Sequence, residues 1–270
     1  MVSESEDNEF STIGESNILQ SDKFRIDYDL LNILAMIFMI VDHSGMILFG
    51  NNLVMRGIGR LAFPIFCFQI VEGTRHTSNV VSYAKRLFLM GLISEIPFNL
   101  MKAKIIDPTR NNVMFELLLC VGVTVIIDKI AQEGVKRSSR VAGILGICGI
   151  VGLSELLQLD YGSRGILLAV SFAVAKWIAP KSKIKELIIP LIASIVLFGV
   201  LDNSLIIGNT GIHIQTLCCL SFVFIWLYDS NKPGMLKQSS KHSLQKIRKL
   251  KYWVYPIHML IIVTIKFILV

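Results

Sequence analysis

Two apolar runs with charges inside them constrain this chain more than any other feature. Residues 56–73 read RGIGRLAFPIFCFQIVEG and residues 85–99 read KRLFLMGLISEIPFN, so Arg56, Arg60 and Glu95 lie within segments otherwise suited to a bilayer. A charge at bilayer depth costs roughly 2.5 to 3.5 kcal/mol on insertion scales and is kept where it faces a bundle interior or a water-filled cavity. Composition makes the bilayer the right solvent to consider. Of the 270 residues 53% are hydrophobic and only 17% charged, with a mean hydropathy of +0.61, whereas a soluble domain keeps about a quarter of its residues charged. Several runs reach the ~20 residues a helix needs to cross the hydrocarbon core, and the alternation of barrel strands is missing. The expected fold is an all-α, polytopic transmembrane helical bundle.

Nine spans are expected, near 30–49, 53–71, 84–101, 113–130, 141–159, 165–179, 187–207, 212–228 and 252–270. Residues 1–27, rich in Glu, Asp, Ser and Asn, read as a disordered acidic tail without the basic start and early apolar core of a secretory signal. Residues 28–270 then form one transmembrane domain. The formal net charge of +7 does not point to nucleic acid, because the Lys and Arg sit in short links between spans. With the N-terminus placed in the cytoplasm, only Lys102, Lys104, Arg110 and Arg164 fall outside, and Arg56, Arg60 and Lys266 stay within spans. All the other basic residues fall inside, as the positive-inside rule requires of a multi-pass protein of the cytoplasmic membrane. The five cysteines, an odd number, lie in apolar runs with no metal-ligand spacing and read as buried small hydrophobes.

On this map the polar residues gather at one depth, toward the outer side. His43 lies about 20 Å along the first helix at 1.5 Å per residue. Arg56 and Arg60 begin the returning helix, Glu95 and Asn99 close the third span, Glu116 opens the fourth, and Asp160 closes the fifth. Asp42 and His43 are about 100° apart on a helix, so a carboxylate orienting the imidazole is expected from another span, Glu95 or Asp160. Arg56 and Arg60, one turn apart, offer two guanidinium forks for phosphate or carboxylate. The plainer readings stand beside these. Asp42-His43 can cap a helix, Arg56, Arg60 and Glu95 can form an ion-pair network, and Asp160-Tyr161-Gly162 can be an interfacial turn. Tyr255-Pro256-Ile257-His258 reads as a helix start with proline at the first position.

The segments MIVDHSG, GRLAFPIFCFQIVEG, SEIPFN and DYGSRG resemble the TraX family of polytopic membrane proteins, with Asn99 where Asp is usual. The resemblance implies N-terminal acetylation of pilin or a related acyl transfer. The first span is also distantly similar to membrane enzymes that O-acetylate surface sugars, although Asn32 stands where those carry an Arg. The activity these resemblances imply is that of a membrane-embedded acyltransferase moving an acetyl group from cytoplasmic acetyl-CoA to an amine or hydroxyl near the outer face. The alternative is a non-catalytic transporter or a pilus or envelope assembly factor. On the enzyme reading the catalytic residues are His43, Asp42 and Glu95, with His43 as general base. Substrate or donor binding falls to Arg56, Arg60, Asn99, Glu72, Asp160, Tyr161 and Arg164, with no metal. The expected partners are the lipid bilayer, acetyl-CoA and an envelope or peptide acceptor, and not nucleic acid.

Overall fold

A computed structural model describes residues 25–107, 109–180, 182–201, 213–230, 232 and 241–269, with the backbone alone for 241–250. Among these the chain is helical throughout, with two isolated β-bridges and no strand. The expected tail up to residue 24 and the end of the seventh expected span, residues 202–207, lie outside the described residues. Residues 25–27 belong to the fold rather than to a tail. Buried Ile26 pairs with Tyr228, and Asp27 caps the first helix by accepting from Leu30 N at 2.8 Å.

The helices are α1 (Tyr28–Ile47), α2 (Leu53–Gly59), α3 (Ala62–His76), α4 (Val80–Met101), α5 (Val113–Ile130), α6 (Arg137–Leu156) and α7 (Gly162–Ile178). They are followed by α8 (Lys183–Ile195) with a π turn at Val196–Val200, a 3-10 segment at Ile214–Leu220 running into α9 (Ser221–Leu227), and α10 (Lys241–Leu269). Among the described residues four stretches are long and apolar enough to cross a membrane: Tyr28–Ile47, Leu53–His76, Arg137–Leu156 and Lys251–Leu269. The others fall short by length or charge. α4 carries Lys85, Arg86 and Glu95, α5 carries Glu116, Asp128 and Lys129, and α7 has 17 residues.

α3 is the axis of the bundle, packed against α1, α5, α7 and α9, with buried Phe63, Ile65, Cys67 and Val71 along it. The second apolar run bends between α2 and α3 for a local reason. Pro64 has no N–H to give the Arg60 carbonyl four residues back, so α2 ends at Gly59 and Arg60 becomes its C-cap. α6 shows the opposite environment, for only 6% of it is buried in the bundle. Cys148 is exposed there, against the expectation that every cysteine is buried, while Cys67, Cys120 and Cys218 are buried.

Ion pairs mark the two ends. At the basal end, where α1 begins, Lys251 meets Asp29 at 2.5 Å, Arg75 meets Asp128 at 2.6 Å, and Lys176 meets Glu72. The apical end carries the candidate site.

Candidate functional site

Asp42, in the last turns of α1, holds two guanidiniums at once. Its Oδ2 lies 2.8 Å from Arg56 Nη1 and its Oδ1 2.6 Å from Arg60 Nη2. Arg60 Nη1 also donates to Gln215 Oε1 at 2.9 Å, tying in the 3-10 segment. The two arginines meet Asp42 because α1 and α2 approach closely. A Cβ on Gly45 would stand 2.6 Å from Met55 Cβ, and one on Gly59 would overlap Asp42 itself. Glycine at 59 thus leaves the space the carboxylate occupies. The three side chains are 12–20% exposed, and their formal sum of one positive charge stays largely out of water.

His43, one residue on, faces α10. Its Nδ1 lies 2.7 Å from His258 Nε2, with the ring planes 7° apart, and His258 Nδ1 lies 2.8 Å from the Val254 carbonyl. The expectation that Glu95 or Asp160 orients His43 through a hydrogen bond is therefore corrected: the partner is a second imidazole. The proline-initiated helix start expected at 255–258 is corrected as well. Pro256 lies inside α10, and His258 is buried against α1.

The expected carboxylates have other partners. Glu95 Oε2 accepts from Asn112 Nδ2 at 2.5 Å, and the same amide reaches the Gly91 carbonyl, which Pro97-containing α4 presents one turn away. Asp160 pairs with Arg110 at 2.8 Å and acts on His43 only through space. Tyr161 stacks on Phe63, ring centroids 3.6 Å apart, while its N–H donates to Glu116 Oε2 at 2.8 Å. Glu116 is fully buried, and a Cβ on Gly165 would overlap its other oxygen. Asn99 is buried with its Oδ1 unpartnered among the described residues. Arg164, half-buried in the first turn of α7, interacts with Glu155. Glu72 belongs to the other end of α3, about 18 Å from Arg60 at 1.5 Å per residue, where it pairs with Lys176. Asp42, His43, Arg56 and Arg60 are thus brought together, Asp160 and Tyr161 flank them, and Glu95, Asn99, Arg164 and Glu72 stand apart.

A cavity of about 970 Å³ opens at the basal end. Arg86, Lys232 and Lys251 line its mouth, and Asn32 and Gln69, hydrogen-bonded to each other at 3.0 Å, stand in its wall. Among its lining residues are Met39 and Tyr255, which stand one helical turn from His43 and three residues from His258. Sequence reasoning puts Gln215 at the same depth but without its partner, reads His258 only as part of a helix start, and misses Asn112 and this cavity. An ionisable residue inside an apolar span was the available signal for His258.

Fold and site together define a polytopic membrane helix bundle with a charge-and-imidazole cluster near one end and a basic-rimmed cavity reaching toward it from the other. The family model described as TraX protein matches residues 27–266, and the chain belongs to the TraX family. Over 72 residues it is 36% identical to a probable fimbrial assembly protein FimC, serogroup H1, from Dichelobacter nodosus, covering 25% of this chain and 29% of that protein. Over 40 residues it is 52% identical to an uncharacterized protein of Rickettsia prowazekii (strain Madrid E), covering 15% and 16%. The chain thus spans under a third of the length of either relative. No solved structure matches it.

Proposed function

We propose that this chain is a membrane-embedded acyltransferase that takes an acetyl group from acetyl-CoA in the basal cavity and delivers it to an amine or hydroxyl arriving from the apical side. The observation that carries this reading is the reach of the cavity. Its basic mouth suits the phosphates of the donor, and Met39 and Tyr255 bring its lining within a turn of the two imidazoles. His43 is the base. It takes the acceptor's proton as the nitrogen or oxygen attacks the thioester carbonyl, the C–S bond breaks, and the proton passes to the thiolate sulfur to give free CoA. The arginines, bound to Asp42 at the apical end, are placed for stabilising negative charge on the carbonyl oxygen rather than for holding distant phosphates.

The basal end is the cytoplasmic one in this reading, because the basic residues Arg75, Arg86, Lys176, Lys183, Lys232 and Lys251 gather there. The helices then make nine passes of the inner membrane, with α4, α5 and α7 crossing although they carry charges, of which Asp128 pairs with Arg75 and Lys176 with Glu72. The name of the Dichelobacter relative favours a fimbrial or other envelope polypeptide as acceptor. The same name favours a second reading, an assembly factor without catalysis. Purified protein incubated with radiolabelled acetyl-CoA and envelope extract separates the two. Label transferred to a polypeptide, with a mass gain of one acetyl group, supports the enzyme, whereas folded protein that transfers none supports the assembly factor.

A further inference from the structure

His258 is held in a way that settles which nitrogen of His43 carries a proton. Its Nδ1 lies 2.8 Å from the Val254 carbonyl oxygen, which can only accept, so Nδ1 bears the hydrogen. The ring is 5% exposed, and among the described residues no carboxylate hydrogen-bonds to it. A buried imidazolium without a counter-charge is costly, so the ring is neutral and its lone pair sits on Nε2. That lone pair faces His43 Nδ1 at 2.7 Å, with the two rings almost parallel. His43 Nδ1 must then donate. With both rings neutral, any other arrangement of the protons sets two lone pairs against each other, either between the rings or between His258 and the Val254 carbonyl.

We propose that His258 is a positioning residue, which fixes His43 as the Nδ1–H tautomer and leaves the lone pair on Nε2. A neutral imidazole free in water favours the opposite tautomer, with the hydrogen on Nε2. Without its partner, His43 would carry a proton on the very nitrogen that has to accept one, since Nδ1 is the edge turned toward α10. The Val254 carbonyl, one turn back on the same helix, is the anchor of the relay, and Tyr255 packs against His258 with ring centroids 5.8 Å apart. The use of this tautomer rests on the acyl-transfer reading, but its existence does not.

The test combines a spectrum with turnover. The full chain is labelled with ¹⁵N-histidine, purified in detergent, and probed by long-range ¹H–¹⁵N correlation, with His43 assigned by the signal lost in His43→Gln. The expected result is a protonated Nδ1 and a bare Nε2 on His43. His258→Phe removes the acceptor and should move the proton to Nε2 while kcat falls roughly 10- to 10²-fold, short of the ~10⁴ that a wrong tautomer costs in the serine-protease triad. KM for acetyl-CoA should not change. His258→Gln, whose amide oxygen reaches as far as the imidazole Nε2, should keep both tautomer and most of the turnover. A parent spectrum with the hydrogen on Nε2 of His43 overturns the proposal even if neither His258 variant folds. So does a folded His258→Phe protein with the parent tautomer and rate. If the parent shows the Nδ1–H tautomer yet transfers no acetyl group, the positioning contact stands and the acyl-transfer reading falls.

Discussion

The two ends of the bundle use charge differently. At the basal end the ion pairs join one acid to one base: Asp29 with Lys251, Glu72 with Lys176, Asp128 with Arg75. At the apical end one carboxylate serves two guanidiniums, two imidazoles bond to each other, and Glu95 Oε1, Glu116 Oε1, Asn99 Oδ1 and Gln215 Nε2 are buried without partners among the described residues, against Asn32 Oδ1 and Arg75 Nη1 at the basal end. Matched pairs at helix ends are what packing alone would select. Unmatched polar groups near bilayer depth are costly to keep, and their concentration at one end marks where the fold gives up stability for chemistry.

The comparison breaks most visibly at Asp42. Asp42→Leu should cost about 3–5 kcal/mol, because two largely buried guanidiniums lose the carboxylate that pairs with both, and Asp42→Asn should be nearly as harmful. Thermal unfolding in detergent is the readout. Equal stability of the parent and both variants would show the cluster to be water-filled and unstrained. Gly59→Ala comes next. Its new methyl group would overlap Asp42, with a loss of about 1–3 kcal/mol typical of overpacking, whereas Gly149→Ala, which meets nothing within 4 Å, should unfold with the parent. At the basal end Lys251→Ala removes a pair that is equally enclosed, 14–19% exposed, but it concerns one acid and one base rather than a carboxylate shared by two guanidiniums, so it should cost less than Asp42→Leu. A basal loss as large as that of Asp42→Leu would erase the distinction between the ends.

The smallest effect belongs to the apical loop between α4 and α5. The hydroxyl and the N–H of Thr109, joined by Lys102 and Lys104, hold the Asp107 carboxyl down at about 2 from its ordinary 3.8. A depressed carboxyl stabilises the fold above its unfolded value and loses that contribution as pH falls, so the loop should loosen between about pH 4 and pH 2. Thr109→Val should shift that loosening toward pH 4, read by limited proteolysis with an acid protease.

Apolar run length made the all-helical fold legible, and charges inside those runs pointed to Asp42, His43, Arg56 and Arg60. Spacing along one helix shows which residues share a face, but not what the next helix brings to it. The partners that complete the cluster come from 14 to 215 residues away: Arg56 and Arg60 for Asp42, Gln215 for Arg60, His258 for His43. Glu95 failed as the partner of His43 for the same reason, since α4 turns it to Asn112. Glu72 stands apart from the cluster because the motif read as one unit runs along α3, with Arg60 just before its start and Glu72 in its last turns. The cavity was invisible in sequence because its wall is drawn from several helices far apart along the chain.

Turnover by His43→Gln tests the central claim most directly. Glutamine keeps a hydrogen bond to His258 but cannot take a proton at neutral pH, so the protein should insert, keep its unfolding temperature and bind acetyl-CoA as the parent does. Acetyl transfer to envelope acceptor should fall about 10²- to 10⁴-fold, the range for loss of a positioned base. A folded His43→Gln protein that transfers acetyl at the parent rate would contradict the account and remove His43 from the chemistry.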